Sequence, residues 1–482
     1  MEPEIRGWSS GMKMIQVLGT SSGSGKTTIA MAITRILSGM GYRVAPFKAV
    51  NMSLNSVIVE GEYEIARAQW LQAKAANTVP TRFMNPILLK PEGMGASQVI
   101  LFGKSLGKKS VGEYYEFIKK EGGRAIRSAI DRMAGEHDVI VAEGAGSPAE
   151  INLLDRDLAN IYVSSIYNTP AMLVGDIERG GVFASIYGTI SLMPRPDLVR
   201  WLVINKMRGD ASMLDAGIVK LQDLTGKKVI GVVPYSENRL PGEDSFDYDH
   251  PRSKGSKIVV IRYPFMENYS DLDPLIYTDT GYNYVTAENA SDISEADLII
   301  LPGSKNVFAD LEYVRRSGIF MKILENAGRA KILGICGGYQ MLGQRITMDG
   351  VSVEGLGLLR AQTHYEKMKT TRSVRYRVHN SLMDGPWEEG YEIHYGMVSN
   401  LGDEHMNETT YGPEGNLDRD RMIFGTNIHG ILENRSVFRF MTGSDIGDPE
   451  EHLRKEIDRF ATVVRNSIDL EDILSYVDGK DH

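Results

Sequence analysis

Two short stretches of this 482-residue chain combine residue types that can do chemistry. The first is MIQVLGTSSGSGKTT, Met14 to Thr28. It runs from an apolar strand-like segment through a glycine-rich turn into a helical one. Backbone N–H groups of such a turn, and of the helix that follows, point at phosphate oxygens. Gly23 and Gly25 let the backbone approach closely, with Ser24 between them in the loop. Lys26 reaches the terminal phosphates, Thr27 can hold Mg²⁺, and Thr28 completes the helix start. The strict phosphate-loop pattern has glycine where Thr20 stands; here Gly19 sits one residue earlier. The second stretch is KILGICGGYQMLG, Lys331 to Gly343. Cys336 ends an apolar run and precedes a helical segment, at a turn that Gly337 and Gly338 keep tight. A helix N-terminus favours thiolate, the nucleophilic form of a cysteine.

A thiolate nucleophile needs a group that takes its proton and later protonates the leaving amine. One imidazole does both. His429, in GTNIHGILEN (Gly425 to Asn434), is the candidate. A tetrahedral intermediate needs N–H donors for its oxyanion. Gly303, in LPGS (Leu301 to Ser304), and Gly337 offer them.

Weaker candidates surround the phosphate loop. Glu143 ends the strand-like IVAEG and can hold Mg²⁺ directly or through water. Asn205 and Pro234 end two further strand-like runs, at corresponding edges. Asp176 and Arg179, in GDIERGG, form a phosphate or substrate loop, and Asn51 is placed to sense a terminal phosphate or a substrate carboxylate. His394, on the alternating YEIHYG, reads as a packed or surface histidine. No histidine has metal-ligand spacing and no CxxC exists, so no zinc site is expected.

The elements that must position these residues follow from apolar runs. Strands are expected at Met14–Leu18, Arg43–Phe47, Asp138–Ala142, Ala171–Val174, Trp201–Ile204 and Val229–Val233, with helices such as Thr28–Ser38 and Glu64–Ala76 between them. Continuous rather than alternating runs mark strands covered on both faces. This predicts an α/β phosphate-loop domain over residues 13–235, with a doubly wound, mostly parallel sheet. Residues 236–256 are polar and turn-rich and read as a linker. A second α/β domain over 257–445 has strands at Ile258–Ile261, Leu298–Leu301, Ile332–Ile335 and Met422–Asn427. Residues 446–482 read as a charged helical tail packed on one of the domains.

Composition bounds the function classes. Hydrophobic residues make up 42% and charged residues 24%, ordinary for a globular protein. A net charge of −9 disfavours general nucleic-acid binding. The single cysteine excludes an intrachain disulfide. Met1 to Met12 carries Glu2 and Glu4 and no apolar run, so no signal peptide is expected. No stretch of ~18 apolar residues suggests a membrane span. A cytoplasmic location is expected.

The loop form G-T-x-x-G-x-G-K-T resembles that of dethiobiotin synthetase and its relatives, in which an asparagine placed like Asn205 contacts the base. The GICGG and NIHG segments resemble class I (triad) glutamine amidotransferases, in which cysteine releases ammonia from glutamine. Those enzymes carry a glutamate two residues after the histidine; here that position is Ile431, and Glu433 lies four residues on. The orienting group for His429 is therefore unassigned. PFKAVNMSLNS, MNPILLKP, EGAGSPAEINL, GDIERGGVFAS and NKMRGD together resemble the cobyric acid synthase family across nearly the whole chain. That resemblance implies ATP and Mg²⁺ as cofactors, L-glutamine as ammonia source and a corrinoid carboxylate as acceptor. Its reaction would be amidation of four peripheral carboxylates (b, d, e, g) of adenosylcobyrinic acid a,c-diamide. Two alternatives stay open: a cobyrinic acid a,c-diamide synthase, and a phosphate-loop regulatory ATPase with an inactive amidotransferase-like domain.

Overall fold

The computed structural model describes residues 11–93, 95–236, 240, 257–278 and 280–480. In chain order the first half contains β1 (Lys13–Gly19), α1 (Lys26–Gly39), β2 (Val44–Phe47), β3 (Ser56–Val59), β4 (Tyr63–Ala66), α2 (Arg67–Ala75), β5 (Val139–Glu143), β6 (Ala171–Asp176), β7 (Val199–Met207) and β8 (Lys228–Pro234). Six of these strands form one sheet in the order β8-β7-β6-β1-β5-β2, every neighbour parallel. Successive side chains of a strand leave opposite faces. Ile15, Val17, Val139 and Val141 accordingly join one apolar layer, while Met14, Ile140 and Ala142 join the other. Both faces are covered, which is why these strands read as unbroken apolar runs. Strand order reverses at β1, and in open α/β sheets the crevice at such a point takes the ligand.

The Glu64–Ala76 stretch is not helical throughout. Glu60 and Gly61 take positive φ values of 49° and 84° and turn the chain back, so β4 pairs antiparallel with β3 before α2 begins. A non-glycine residue seldom adopts that conformation, so the sequence signals this turn only through Gly61. Val50–Met52, Ile87–Pro91, Ala96–Leu101 and Lys104–Ser110 make a further four-stranded sheet.

The second half contains β9 (Ile258–Ile261), β10 (Asn283–Val285), β11 (Leu298–Leu301), β12 (Lys331–Ile335), α3 (Gly337–Leu342), β13 (Ala361–Val378), β14 (Glu388–Asn400), β15 (Asn416–Asp418) and β16 (Ile423–Thr426). Its main sheet runs β10-β9-β11-β12-β16-β15, parallel except for the last pair. β13 and β14 form a long antiparallel pair beside it. The linker expected over 236–256 lies outside the described residues apart from Ser236 and Leu240.

Two helices follow, α4 (Pro449–Ser467) and α5 (Glu471–Val477). They pack on the first half. Asp448 caps α4 by accepting the N–H groups of Glu450 and Glu451, with Pro449 in the first turn. Leu453, Ile457, Phe460 and Val464 recur at helical spacing and share an apolar cluster with Ile29, Ile33 and Ile36 of α1. Burying each such side chain contributes ~1.5–3 kcal/mol. Arg35 on α1 also pairs with Asp458 at 2.6 Å.

Candidate functional site

Strand register gathers the second-domain candidates at one sheet edge. Leu301 of β11 lies opposite Gly334 of β12, and Ile335 lies opposite Thr426 of β16. The residues that follow these strands are Gly303, Cys336 and His429. Cys336 has φ 50° and ψ −110°, a conformation outside the comfortable regions for a side chain of this kind. It is held there from several sides. Its N–H donates to the Thr426 carbonyl at 2.8 Å. A side chain at Gly338 would collide with the Leu301 carbonyl, and one at Gly337 would lie 2.6 Å from the Ser304 nitrogen. The turn therefore brings Gly337 against the 303–304 segment, beside the thiol.

His429 is fully buried. Its Nδ1 lies 2.8 Å from Oδ2 of Asp271, whose Oδ1 accepts the Gly430 N–H at 2.8 Å. The ring stacks on Tyr391 at 5.1 Å between centroids, and the Cys336 thiol, which donates to the Ile393 carbonyl at 3.6 Å, lies near enough to act on its charge. Burial alone would lower the imidazole pKa. The Asp271 carboxylate outweighs it and, with the thiol, raises His429 to about 10. Asp271 thus occupies the place of the orienting acid that sequence reasoning left unassigned. Ile431, at the position of the usual glutamate, is packed in the apolar core, and Glu433 lies 4.0 Å from Arg67 of α2 instead. His394 is packed, its Nδ1 2.8 Å from the Gly396 carbonyl oxygen; burial pushes its pKa down to about 4.

The first-domain candidates meet at the β1–α1 turn. Gly25 has φ 86° and precedes α1, a backbone that suits glycine. Thr28 Oγ1 donates to the Gly25 carbonyl at 3.0 Å. Lys26 and Thr27 are buried in the first turn of α1. Thr27 Oγ1 donates to Glu143 Oε1 at 2.5 Å, Lys48 Nζ reaches the same oxygen at 2.9 Å, and Gln72 Nε2 donates to the other at 2.8 Å. Burial pushes the Glu143 pKa up, but Lys48 and then Lys26 overcome this and hold it below its ordinary value. Asn205 Nδ2 donates to the Ser24 carbonyl at 3.0 Å, so this amide braces the loop. Lys206 bridges the Gly23 carbonyl at 2.7 Å and Asp176 at 3.1 Å. A side chain at Gly23 would lie 3.8 Å from the Arg179 guanidinium. Pro234 ends β8 opposite Met207. Asn51 is buried and donates to Gln69 Oε1 at 2.8 Å, one step along α2 from Gln72.

The comparisons with known proteins agree with this two-part arrangement. The CobQ/CobB/MinD/ParA nucleotide binding domain matches residues 15–245, and the CobB/CobQ-like glutamine amidotransferase domain matches residues 257–437. A probable cobyric acid synthase of Thermoplasma acidophilum is 79% identical over 97% of this chain and 100% of its own. The chain belongs to the cobyric acid synthase family. A probable cobyric acid synthase of Picrophilus torridus is 53% identical over 96% of this chain and 99% of its own. A cobyric acid synthase of a Thermoanaerobacter species is 39% identical over 95% and 97%. Among solved structures, the MinD cell division protein of Aquifex aeolicus covers 46% of this chain and 83% of its own at 15% identity, with a TM-score of 0.27, too slight a likeness to argue from. No helix among the described residues is long and apolar enough to cross a membrane.

Sequence reasoning missed Asp271, Lys48 and Gln72. Asp271 lies 158 residues before His429, in the short 3₁₀ turn Tyr269–Leu272, which carries no recognisable motif. Lys48 and Gln72 sit in a strand end and on a helix face, and only the folded sheet brings them to Glu143.

Proposed function

We propose that this chain makes amides from carboxylates, with ATP as activator and L-glutamine as nitrogen source, on a corrinoid. The observation that carries the reading is the buried His429 held at Nδ1 by Asp271, at the sheet edge that also bears Cys336, in a chain with a phosphate loop. In the second domain, Cys336 Sγ attacks the side-chain amide carbon of glutamine. His429 Nε2 takes the thiol proton and gives it to the departing ammonia; backbone N–H groups of Gly303 and Gly337 receive the oxyanion. Water then cleaves the thioester to glutamate. In the first domain, a substrate carboxylate takes the terminal phosphoryl group of ATP, and ammonia displaces phosphate from the acyl phosphate. Each amide consumes one ATP and one glutamine.

Lys26 offsets the terminal phosphate charge, and Asn205 steadies the loop beneath the nucleotide. Mg²⁺ fits here: a hydroxyl and a carboxylate, Thr27 and Glu143, are a hard-oxygen pair of the sort that holds this ion together with phosphates and water. When bound, it neutralises phosphate charge. Asp176 and Arg179, beside the loop, and Asn51 are the residues assigned to the substrate side. A single thiol nucleophile suits a reducing cytoplasm.

The acceptor we assign is adenosylcobyrinic acid a,c-diamide, amidated at its b, d, e and g carboxylates. The names of the full-length relatives support this over the a,c-diamide synthase. An orienting carboxylate on His429 supports an active glutaminase over an inactive one. The test is incubation with ATP, Mg²⁺ and glutamine, with adenosylcobyrinic acid a,c-diamide or cobyrinic acid as acceptor, read by mass spectrometry. Four successive acid-to-amide conversions of the diamide are expected. Two conversions of cobyrinic acid, with the diamide untouched, would move the chain to the other reaction.

A further inference from the structure

The turn that carries His429 is held by a carboxylate outside the catalytic pair and its acid. After Thr426, where β16 ends, the chain leaves the sheet, and each of the next three backbone N–H groups needs an acceptor. The His429 N–H donates to the Tyr391 carbonyl at 2.8 Å. The Ile428 N–H donates to Thr426 Oγ1 at 3.1 Å, and the Asn427 N–H to Glu414 Oε1 at 2.7 Å. Glu414 Oε2 accepts the Thr426 hydroxyl at 2.6 Å and the Asn407 amide at 2.9 Å. Thr426 Oγ1 also accepts from that amide, at 3.1 Å. Thr426, Asn407 and Asn427 are buried, and the half-buried Glu414 turns its carboxylate onto them.

The same segment sets the nucleophile. The Thr426 carbonyl accepts the Cys336 N–H at 2.8 Å, and that bond helps to keep Cys336 at φ 50° and ψ −110°. A strained conformation of this kind persists only where several neighbours impose it. Thr426 therefore serves both partners: its carbonyl holds the Cys336 turn, and its hydroxyl oxygen holds the backbone one residue before His429. The charge on Glu414 answers to the number of donors. Three of them converge on its two oxygens. A glutamine there would offer one oxygen, and with that oxygen kept toward Asn427 its NH₂ would face the Asn407 amide, itself a donor. A charge brought among buried groups needs such partners, or its desolvation goes unanswered.

We propose that Glu414 is a positioning residue for glutamine hydrolysis: its carboxylate fixes Thr426 and Asn427, and through them the Cys336 turn and the approach of His429. This rests on the glutaminase reading above. The titratable groups facing Glu414 are Glu392, itself paired with Arg372, and the Tyr339 hydroxyl. Burial, with Glu392 adding to it, raises Glu414 to about 7 against the pull of its donors. A proton on Oε1 would face the Asn427 N–H. One on Oε2 would need a lone pair of Thr426 Oγ1, which already accepts two N–H groups. Either way the network loses a bond as pH falls through about 7. His429 titrates near 10 and has no part in that change, whereas Asp273 and Asp310 also stand at about 7.

The test uses the full chain and two variants, Glu414→Ala and Glu414→Gln. In Glu414→Ala the Asn427 N–H and the Thr426 hydroxyl lose their acceptor. Its kcat for glutamate release should fall about ten- to a hundredfold, the scale of one or two hydrogen bonds to a charged group, with KM for glutamine little changed. Alkylation by iodoacetamide reads Cys336 alone, because the chain has one cysteine, and should slow. Glu414→Gln keeps the bond to Asn427 and should recover part of the lost kcat, while the fall in kcat below pH about 7 disappears. Amidation from ammonium salt should be unchanged in both. A Glu414→Ala kcat within about twofold of wild type, or a loss carried by KM alone, overturns the proposal. If Glu414→Ala loses ammonia-dependent amidation as well, its fold has failed and Glu414→Gln decides: a pH profile identical to that of wild type assigns the titration to Asp273 or Asp310 and overturns the proposal. A wild type that releases no glutamate even in the full reaction overturns the glutaminase reading instead.

Discussion

In an Asp271→Asn variant the new amide has one orientation open to it. The Gly430 N–H, now 2.8 Å from Oδ1, needs an acceptor, so the amide oxygen faces it and the NH₂ faces His429 Nδ1. Nδ1 must then accept, and its proton moves to Nε2. The imidazole loses the lone pair that takes the thiol proton. No water can substitute, since the Asp271 and His429 side chains are 1% and 0% exposed. Forcing the wrong tautomer in an otherwise intact triad costs about 10⁴-fold in rate, or ~5.4 kcal/mol at ~1.36 kcal/mol per tenfold. We expect glutamine-dependent amidation to fall by about 10³- to 10⁴-fold, while amidation from ammonium salt survives because no thiol is used there. The assay is amide product per minute from each nitrogen source. A loss under about tenfold in a well-folded variant would refute the orienting role. Equal loss with ammonia would show that Asp271 serves the first domain as well.

Lys26→Ala removes the charge facing the terminal phosphates and should abolish amidation from either nitrogen source by several powers of ten, on the order of other electrostatic contributions; near-normal product would remove the ATP role. Cys336→Ser and His429→Ala should each lose glutamine-dependent amidation yet keep ammonia-dependent amidation with ATP still consumed, and undiminished glutamine use by Cys336→Ser would sink the nucleophile. Glu433→Gln should cost less than about tenfold in glutaminase rate, because Asp271 already holds Nδ1; a thousandfold loss with the fold intact would reverse that assignment. His429 titrates near 10 in the folded chain against about 6.5 unfolded. Its pKa is raised, so its stabilising contribution is full below pH ~6.5 and fades as pH rises through about 10. The denaturant midpoint should fall between pH ~7 and ~10, and Asp271→Asn should flatten that fall.

The parts of the site that sit on regular punctuation were legible in the sequence. Apolar runs placed Lys26 and Cys336 just beyond strands because both faces of each sheet are covered, and glycines beside them marked the turns. Asp271 was not legible: it reaches His429 from the 3₁₀ turn Tyr269–Leu272, just before α-helical Asp273–Tyr277, where the Asn268 N–H donates to the first domain's Leu54 carbonyl. Lys48 and Gln72 share that character, each an ordinary polar residue given its role by a neighbour from another element. The β3–β4 hairpin escaped notice because Glu60 adopts a conformation that its residue type seldom does. The same hairpin meets the second half where the Ser56 N–H donates to Asn268 Oδ1 at 3.2 Å, so the least legible local structure carries a contact between the halves.

The packing of α4 on α1 has a bearing on how the molecule is made. Synthesis runs from the N-terminus, so α1 and its phosphate loop leave the ribosome early, while the helix that covers their outer flank leaves only after the whole second domain. At ~5–20 residues per second that interval is tens of seconds, during which Ile29, Ile33 and Ile36 lack the apolar partners that α4 supplies in the folded chain. The ATP-handling half is therefore sealed last, after the ammonia-producing half exists in full. A fragment ended at the linker would keep that flank open, and a cell that splits the two halves between separate chains would have to carry α4 with the first of them.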